Sequence, residues 1–166
     1  EKIQLVSNFT VRTFAESCNQ GAQKSQGENL LFLNNDTYVT SNWLKPMLDC
    51  LKSKSKVGIV GNKQIYPQNG FLSHAGGAFN PKKIPEHIYH FFDPNLPLIN
   101  EDREYQWVTG SCLLIPKKLF FKVHCFDEGY INGHEDVDLC LKVREKGYKV
   151  VYCHRSLIYH YGQATD

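Results

Sequence analysis

The sequence predicts an α/β domain, with a mostly parallel central sheet and helices on both faces. Two uninterrupted apolar runs, residues 30–33 and 57–60, have the composition of strands covered on both sides. Segments of helical spacing precede and separate them, and that alternation implies right-handed crossovers and a parallel sheet. The third observation is where the runs stop. The first ends on Asn34-Asn35-Asp36 and the second on Gly61, and ligands of such sheets bind beyond the carboxyl ends of the strands.

In chain order, residues 3–6 form a short apolar run expected as a strand, and 8–13 a turn with cap candidates. Phe14, Cys18 and Ala22 recur every fourth position, so a helix is expected over 13–24, ended by Gly27. Ser41 is the candidate cap of the next helix, with Pro46 near its first turn and Leu44, Met47, Leu48 and Leu51 on its apolar face. From residue 63 the pattern breaks into turn signals: Pro67, Asn69-Gly70, Gly76-Gly77 and Asn80-Pro81. Residues 64–66 and 71–79 fit short strands around a hairpin. Residues 85–104, polar and rich in His and aromatics, read as a long loop. Strands at 105–108 and 112–115, a short helix begun by Pro116, and a turn at Phe126-Asp127-Glu128-Gly129 follow. An acidic-fronted helix, a strand at 149–152 and a final apolar segment at 157–160 complete the chain.

At 166 residues and 42% hydrophobic composition, this is one globular domain. A net charge of +2, with no basic run interleaved with aromatics, excludes a dedicated nucleic-acid binder. Lys52-Ser53-Lys54-Ser55-Lys56 reads as a solvated helix end, with a peripheral membrane contact as the alternative. No apolar run approaches the roughly 20 residues that span a bilayer, and no secretory signal is visible. The six cysteines form no CxxC pair and lie mostly inside apolar patterns, as reduced thiols do. A cytoplasmic location is expected, with the inner face of the membrane as a point of attachment.

The most chemical stretch is Gly133-His134-Glu135-Asp136-Val137-Asp138. Val137, Cys140 and Leu141 fall at i, i+3 and i+4, so an amphipathic helix begins inside it and stops at Gly147. Its carboxylates then occupy a first turn, where unpaired N–H groups favour the ionised form. A carboxylate held there can take a proton from a hydroxyl or hold a metal. Acidic residues are also ordinary first-turn chemistry, and the stretch alone leaves both readings open.

Taken in order, Asn19-x-Gly21, Leu31-Phe32-Leu33-Asn34-Asn35-Asp36, Thr109-Gly110-Ser111, Phe126-Asp127-Glu128, Glu135-Asp136-Val137-Asp138-Leu139-Cys140-Leu141, Gly147-Tyr148 and His160 resemble glycosyltransferase family 2. The resemblance runs over nearly the whole chain. It implies a GT-A three-layer sandwich and inverting transfer of a sugar from a nucleotide-diphosphate donor, with a divalent cation, Mn²⁺ or Mg²⁺. The acceptor would be a glycan, lipid-linked or protein hydroxyl, and the setting cell-surface polysaccharide synthesis. Residues 1–62 would form the nucleotide-sugar part and 63–166 the acceptor and catalytic part. Two departures are visible. The chain starts after the strands with which the family opens, so truncation at the N-terminus is expected. The family's Asp-x-Asp metal motif is Asn34-Asn35-Asp36, with one carboxylate.

The resemblance assigns roles residue by residue. Asp136 is the general base and Glu135 its neighbour for orienting the base or binding the acceptor. Asp36 and His160 are the metal ligands. Asn19, Gly21, Asn34, Asn35 and Asp36 meet the donor; Trp107, Gly110 and Ser111 form the acceptor wall. Core packing is the competing reading for Trp107, and a helix-surface position for Asn19. Two other functions stay open: a non-catalytic nucleotide- or carbohydrate-binding remnant of the same fold, and a docking domain that uses the aromatic run from His87 to Phe92.

Overall fold

The computed structural model describes residues 3–53, 55–131 and 133–162; Lys54 of the basic run lies outside them. Strands β1 (Asn29–Leu33), β2 (Thr37–Val39), β3 (Val57–Ile65), β8 (Cys112–Pro116) and β9 (Lys149–His160) form one sheet in the order β1-β8-β3-β9-β2. Two short strands extend it, β4 (Leu72–His74) on β3 and β7 (Arg103–Tyr105) on β9. Strands β5 (Gly77–Phe79) and β6 (Pro85–His87) pair separately.

Successive residues of a strand point to opposite faces, and the core divides accordingly. Leu113, Ile115, Ile59 and Val150 face one side, where α1 (Phe14–Lys24), α3 (Lys117–Lys122) and α4 (Glu135–Glu145) pack. Cys112, Leu114, Val60 and Val151 face the other, covered by α2 (Leu44–Ser53) through Met47 and Cys50. The result is the three-layer sandwich that was expected.

Strand direction differs from expectation. Only β3 and β9 pair in parallel; β8 is antiparallel to both β1 and β3, and β2, β4 and β7 are antiparallel to their partners. The crossover from β1 through α2 does return β3 in the same direction as β1. It leaves a gap one strand wide, and β8, arriving from the far end of the chain, fills it. The sheet is therefore mixed.

Other elements were displaced. Residues 3–6 are not a strand: Ile3 is 97% and Leu5 86% exposed, and they pair with nothing among the described residues. The helix expected at Ser41 begins at Leu44, with Pro46 in its first turn. The segments at 149–152 and 157–160 are one strand, its register shifting against β3 between Asn62 and Lys63. Residues 85–104 are strapped down: β6 pairs with β5, the Phe91 N–H donates to Leu72 O at 2.9 Å, and a 3-10 turn spans Pro97–Ile99. In α4 the buried face is Val137, Leu139, Cys140 and Val143, leaving Leu141 exposed. Gly147, at φ +78°, ends that helix as predicted.

Candidate active site

Strands β1, β3 and β9 run the same way, and β8 runs against them. The carboxyl ends of the first three and the amino end of β8 therefore share one edge of the sheet. That edge holds Asn34-Asn35-Asp36 after β1, Thr109-Gly110-Ser111 before β8, and His160 at the end of β9. The amino end of α4 brings Glu135 and Asp136 to the same place. Together they line an open cleft of about 690 Å³ that includes Asn34, Asn35, Gly110, Glu135, Asp136 and His160, within the usual range for small-molecule sites.

His134, the residue before α4, sits in the left-handed region at φ +73° and contributes no side-chain cap. Asp136 serves the helix end in its place. Its Oδ1 accepts from Val137 N at 2.8 Å, and its Oδ2 from Gly110 N at 2.7 Å. Burial pushes the Asp136 carboxyl above the ordinary carboxylate range, against the pull of those two N–H groups. Gly110 permits the approach: a Cβ there would lie 3.2 Å from Asp136 Cβ and 3.3 Å from the Phe14 ring. Glu135 is buried, and its Oε2 has no hydrogen-bond partner.

Asp36 Oδ1 lies 3.3 Å from His160 Nε2 and is likewise buried without a hydrogen bond. The two side chains are set by adjacent strands, since β2 pairs with β9 with Thr37 opposite His160. Burial lowers the His160 pKa, Asp36 opposing, which favours the neutral imidazole. One orphaned carboxylate oxygen and one neutral imidazole nitrogen fit a divalent cation that completes its shell from a ligand.

Other predicted site residues lie elsewhere. Asn19 does not line the cleft. Its amide donates to Phe126 O and Glu128 Oε1, each at 2.9 Å, and its carbonyl accepts from Phe126 N at 3.1 Å. A fully committed Asn on a helix pins the Phe126-Asp127-Glu128 turn to α1. Gly21 faces open space, where an added Cβ meets nothing within 4 Å, so no close backbone approach demands it. Trp107 is 4% exposed, packed over Gly77 and against the His74 and His87 rings. The packing reading wins there. Ser111 borders the cleft, but its hydroxyl donates to Gln64 Oε1 at 2.8 Å and its carbonyl holds Asn34 N at 2.9 Å, a supporting position.

Arg12 escaped the sequence reading. It lines the cleft mouth beside Thr13, which caps α1 through a reciprocal pair with Glu16. A lone Arg before a capping box carries no distinctive signal. Behind the site, His74 Nε2 accepts from both Thr109 N and Gly76 N, each at 3.2 Å, so its proton is on Nδ1 and donates to His87 Nδ1 at 2.8 Å. Cys18 also borders the cleft, its thiol pushed up to about 12 by burial and then by Glu135, which keeps it unreactive.

The chain matches the family described as glycosyltransferase like family 2 over residues 3–163. It is 31% identical over 153 residues to the uncharacterized protein y4gI of Sinorhizobium fredii, covering 89% of this chain and 17% of that protein. It is 29% identical over 154 residues to the O-antigen biosynthesis protein RfbC of Myxococcus xanthus, covering 89% of this chain and 12% of that one. The chain thus spans less than a fifth of these relatives. A crystal structure of GalNAc-T7 with UDP, GalNAc and Mn²⁺ superposes with a TM-score of 0.72 at 20% identity, over 92% of this chain and 31% of the other, a likeness of fold.

Proposed function

The chain belongs to glycosyltransferase-like family 2, and from that membership we propose that it transfers a sugar, with inversion, from a nucleotide-diphosphate donor to a hydroxyl of a glycan, lipid-linked or protein acceptor. One observation carries the reading: a single cleft is lined by His160, which pairs behind it with Asp36 at 3.3 Å in a cation-fitting arrangement, and by a carboxylate raised by burial, Asp136. Inverting transfer needs a base for the acceptor hydroxyl and relief of charge on the departing diphosphate.

Asp136 takes the proton of the acceptor hydroxyl as that oxygen attacks the anomeric carbon, and its raised pKa makes it the stronger base. Glu135, with Oε2 unsatisfied, binds a neighbouring acceptor hydroxyl. Asp36 and His160 would hold Mn²⁺ or Mg²⁺, with an imidazole ligand favouring Mn²⁺. Bound there, the cation supplies Lewis-acid stabilisation of the diphosphate. Asn34 and Asn35 border the donor, and Arg12 lies at the cleft mouth for its phosphates. The division at residue 62 is one of contacts: donor residues come mostly from the first part, acceptor residues from the second.

A role in cell-surface polysaccharide synthesis is supported by the likeness to an O-antigen biosynthesis protein. A cytoplasmic setting, with peripheral attachment to the inner membrane face, is supported by the absence of disulfides among the described cysteines. No described helix is long and apolar enough to cross a membrane. A second reading, a nucleotide-binding remnant without turnover, is favoured by the lone carboxylate of Asn34-Asn35-Asp36.

Calorimetric titration with UDP, dTDP and GDP, with and without Mn²⁺, tests both readings. Metal-dependent binding of one nucleotide is expected, weakened at least tenfold by Asp36→Asn. Asp136→Asn should keep the donor affinity and lose about 10²–10⁴ in turnover. Binding with no transfer by the intact protein would select the remnant, and undiminished transfer by the Asp136 variant would remove that residue from the base role.

A further inference from the structure

On the sheet face covered by α2, away from the cleft, two thiols and a carboxylate converge. Cys50 comes from α2, Cys153 from β9, and Asp102 from the residue before β7. Their ligand atoms all lie within 4.8 Å of one another. Both cysteines are buried, at 1% and 0% exposure, and no disulfide joins them. We propose that Cys50, Cys153 and Asp102 form a structural site for a thiophilic divalent cation, Zn²⁺ in the first instance.

The donor set fits such an ion. Two thiolates with one carboxylate select a borderline-soft ion and disfavour Mg²⁺ or Ca²⁺. Zn–S bonds of about 2.3 Å in a tetrahedron set sulfur–sulfur separations near 3.8 Å, which the cluster accommodates. The outer shell of the cluster also fits. Asp102 Oδ1 accepts from His154 N at 3.0 Å and contacts His154 Nδ1 at 2.7 Å. That fixes the carboxylate, as hydrogen bonds fix ligating groups in metal centres. Arg155 Nη2 lies 3.5 Å from Asp102 Oδ2 and balances the negative charge that two thiolates and a carboxylate leave around one dication.

Two further points concern the environment. Cys50 hydrogen-bonds to Cys153 and pulls its thiol down, against burial and the nearby Asp102. The thiols are members of the buried apolar cluster with Met47, Val57, Val60 and Ile158, while Asp102 and His154 are partly exposed. Against β3, Cys153 stands opposite Asn62 and Tyr159 opposite Ile65, with His160 next, so the site lies about four strand positions or roughly 13 Å from His160 and does not share the Asp36–His160 ion.

Binding of Co²⁺ to the full chain under reductant tests the proposal. One equivalent should produce thiolate-to-cobalt charge-transfer absorption that Zn²⁺ abolishes. Asp102→Asn, at a partly exposed position outside the apolar cluster, should weaken cobalt binding at least tenfold, and Cys50→Ala with Cys153→Ala should remove the absorption. Zinc at a hundredfold excess over Kd should raise Tm by about 5–10 °C in the wild type and not in the double variant. Because Asp36 and His160 offer no sulfur, charge-transfer absorption that survives Asp36→Asn with His160→Ala reports this cluster. Absence of the absorption in the reduced wild type, or its persistence without Cys50 and Cys153, would overturn the assignment.

Discussion

Asp136 lies where it does because Gly110 is small. Its Oδ2 sits 2.7 Å from the Gly110 N–H only because no side chain intervenes, and a methyl group there would press on Asp136 Cβ and the Phe14 ring together. Phe14 belongs to the apolar packing around α1, and its ring meets Phe126 at 5.5 Å between centroids, so it yields little. The carboxylate yields instead. Gly110→Ala is therefore expected to lower kcat by about 10–100-fold, as small misplacements of reacting groups do, while leaving the nucleotide Kd within a factor of two or so of the wild type. Steady-state kinetics beside a nucleotide titration measures both, and an unchanged kcat would show that Asp136 does not depend on this contact. The same reasoning separates residues whose place in the fold was readable from those whose place was not. Asp36, His160, Glu135 and Asp136 stand at element ends, where sequence position limits what a side chain can meet. Asn19 sits inside α1 and Ser111 in the turn before β8, and their side chains are claimed by residues about 107 and 47 positions away, Phe126 and Gln64. Nothing local announces such partners.

Among the elements, the region from β4 to β6 departed most from the sequence reading. Turn residues correctly marked the hairpin between β3 and β4, because Gly70, at φ +76°, and the Asn69 side chain act locally. The order in residues 85–104 was hidden because it comes from distant contacts: β5, Leu72 and the buried rings. His74 lies beneath this strap, its pKa well below 6.5, chiefly through burial and then through His87 and other histidines. His87 is lowered to about 4, again chiefly by burial. Both are neutral in the folded protein and titrate near 6.5 when unfolded. As pH falls below about 6.5 the unfolded chain takes up protons first, so the contribution is complete above that value and declines toward pH 4. The slope per group is at most about 1.4 kcal/mol per pH unit. Urea midpoints of the wild type should thus fall more steeply from pH 7 to 5 than those of His74→Gln. Equal slopes would mean that His74 is not held neutral.

For the molecule as a whole, the GT-A sandwich implied by family resemblance is the architecture found. Its layering was readable because the apolar runs and helical spacings are local, whereas strand direction was not. β8 enters between β1 and β3 from some fifty residues beyond β3, and no property of residues 57–65 foretells it. That insertion also bears on the division at residue 62. β8 lies between β1 and β3, and β9 pairs with β3, β2 and β7, so each part supplies neighbours to the other throughout the sheet. Chemical unfolding is expected to show one transition, coincident by tryptophan fluorescence and far-UV circular dichroism. Two separate transitions would establish the division as physical.

The pairing of β2 with β9 has a last consequence. Because Thr37 faces His160 across the ladder, the imidazole reaches Asp36 in only one alignment of those strands. A slip of one residue would turn His160 to the opposite face of the sheet. The Asp36–His160 pair is thus an index mark on the ladder, and its formation reports that two distant stretches of chain have been aligned correctly. A misaligned chain keeps its helices and much of its core but loses the contact between Asp36 and His160.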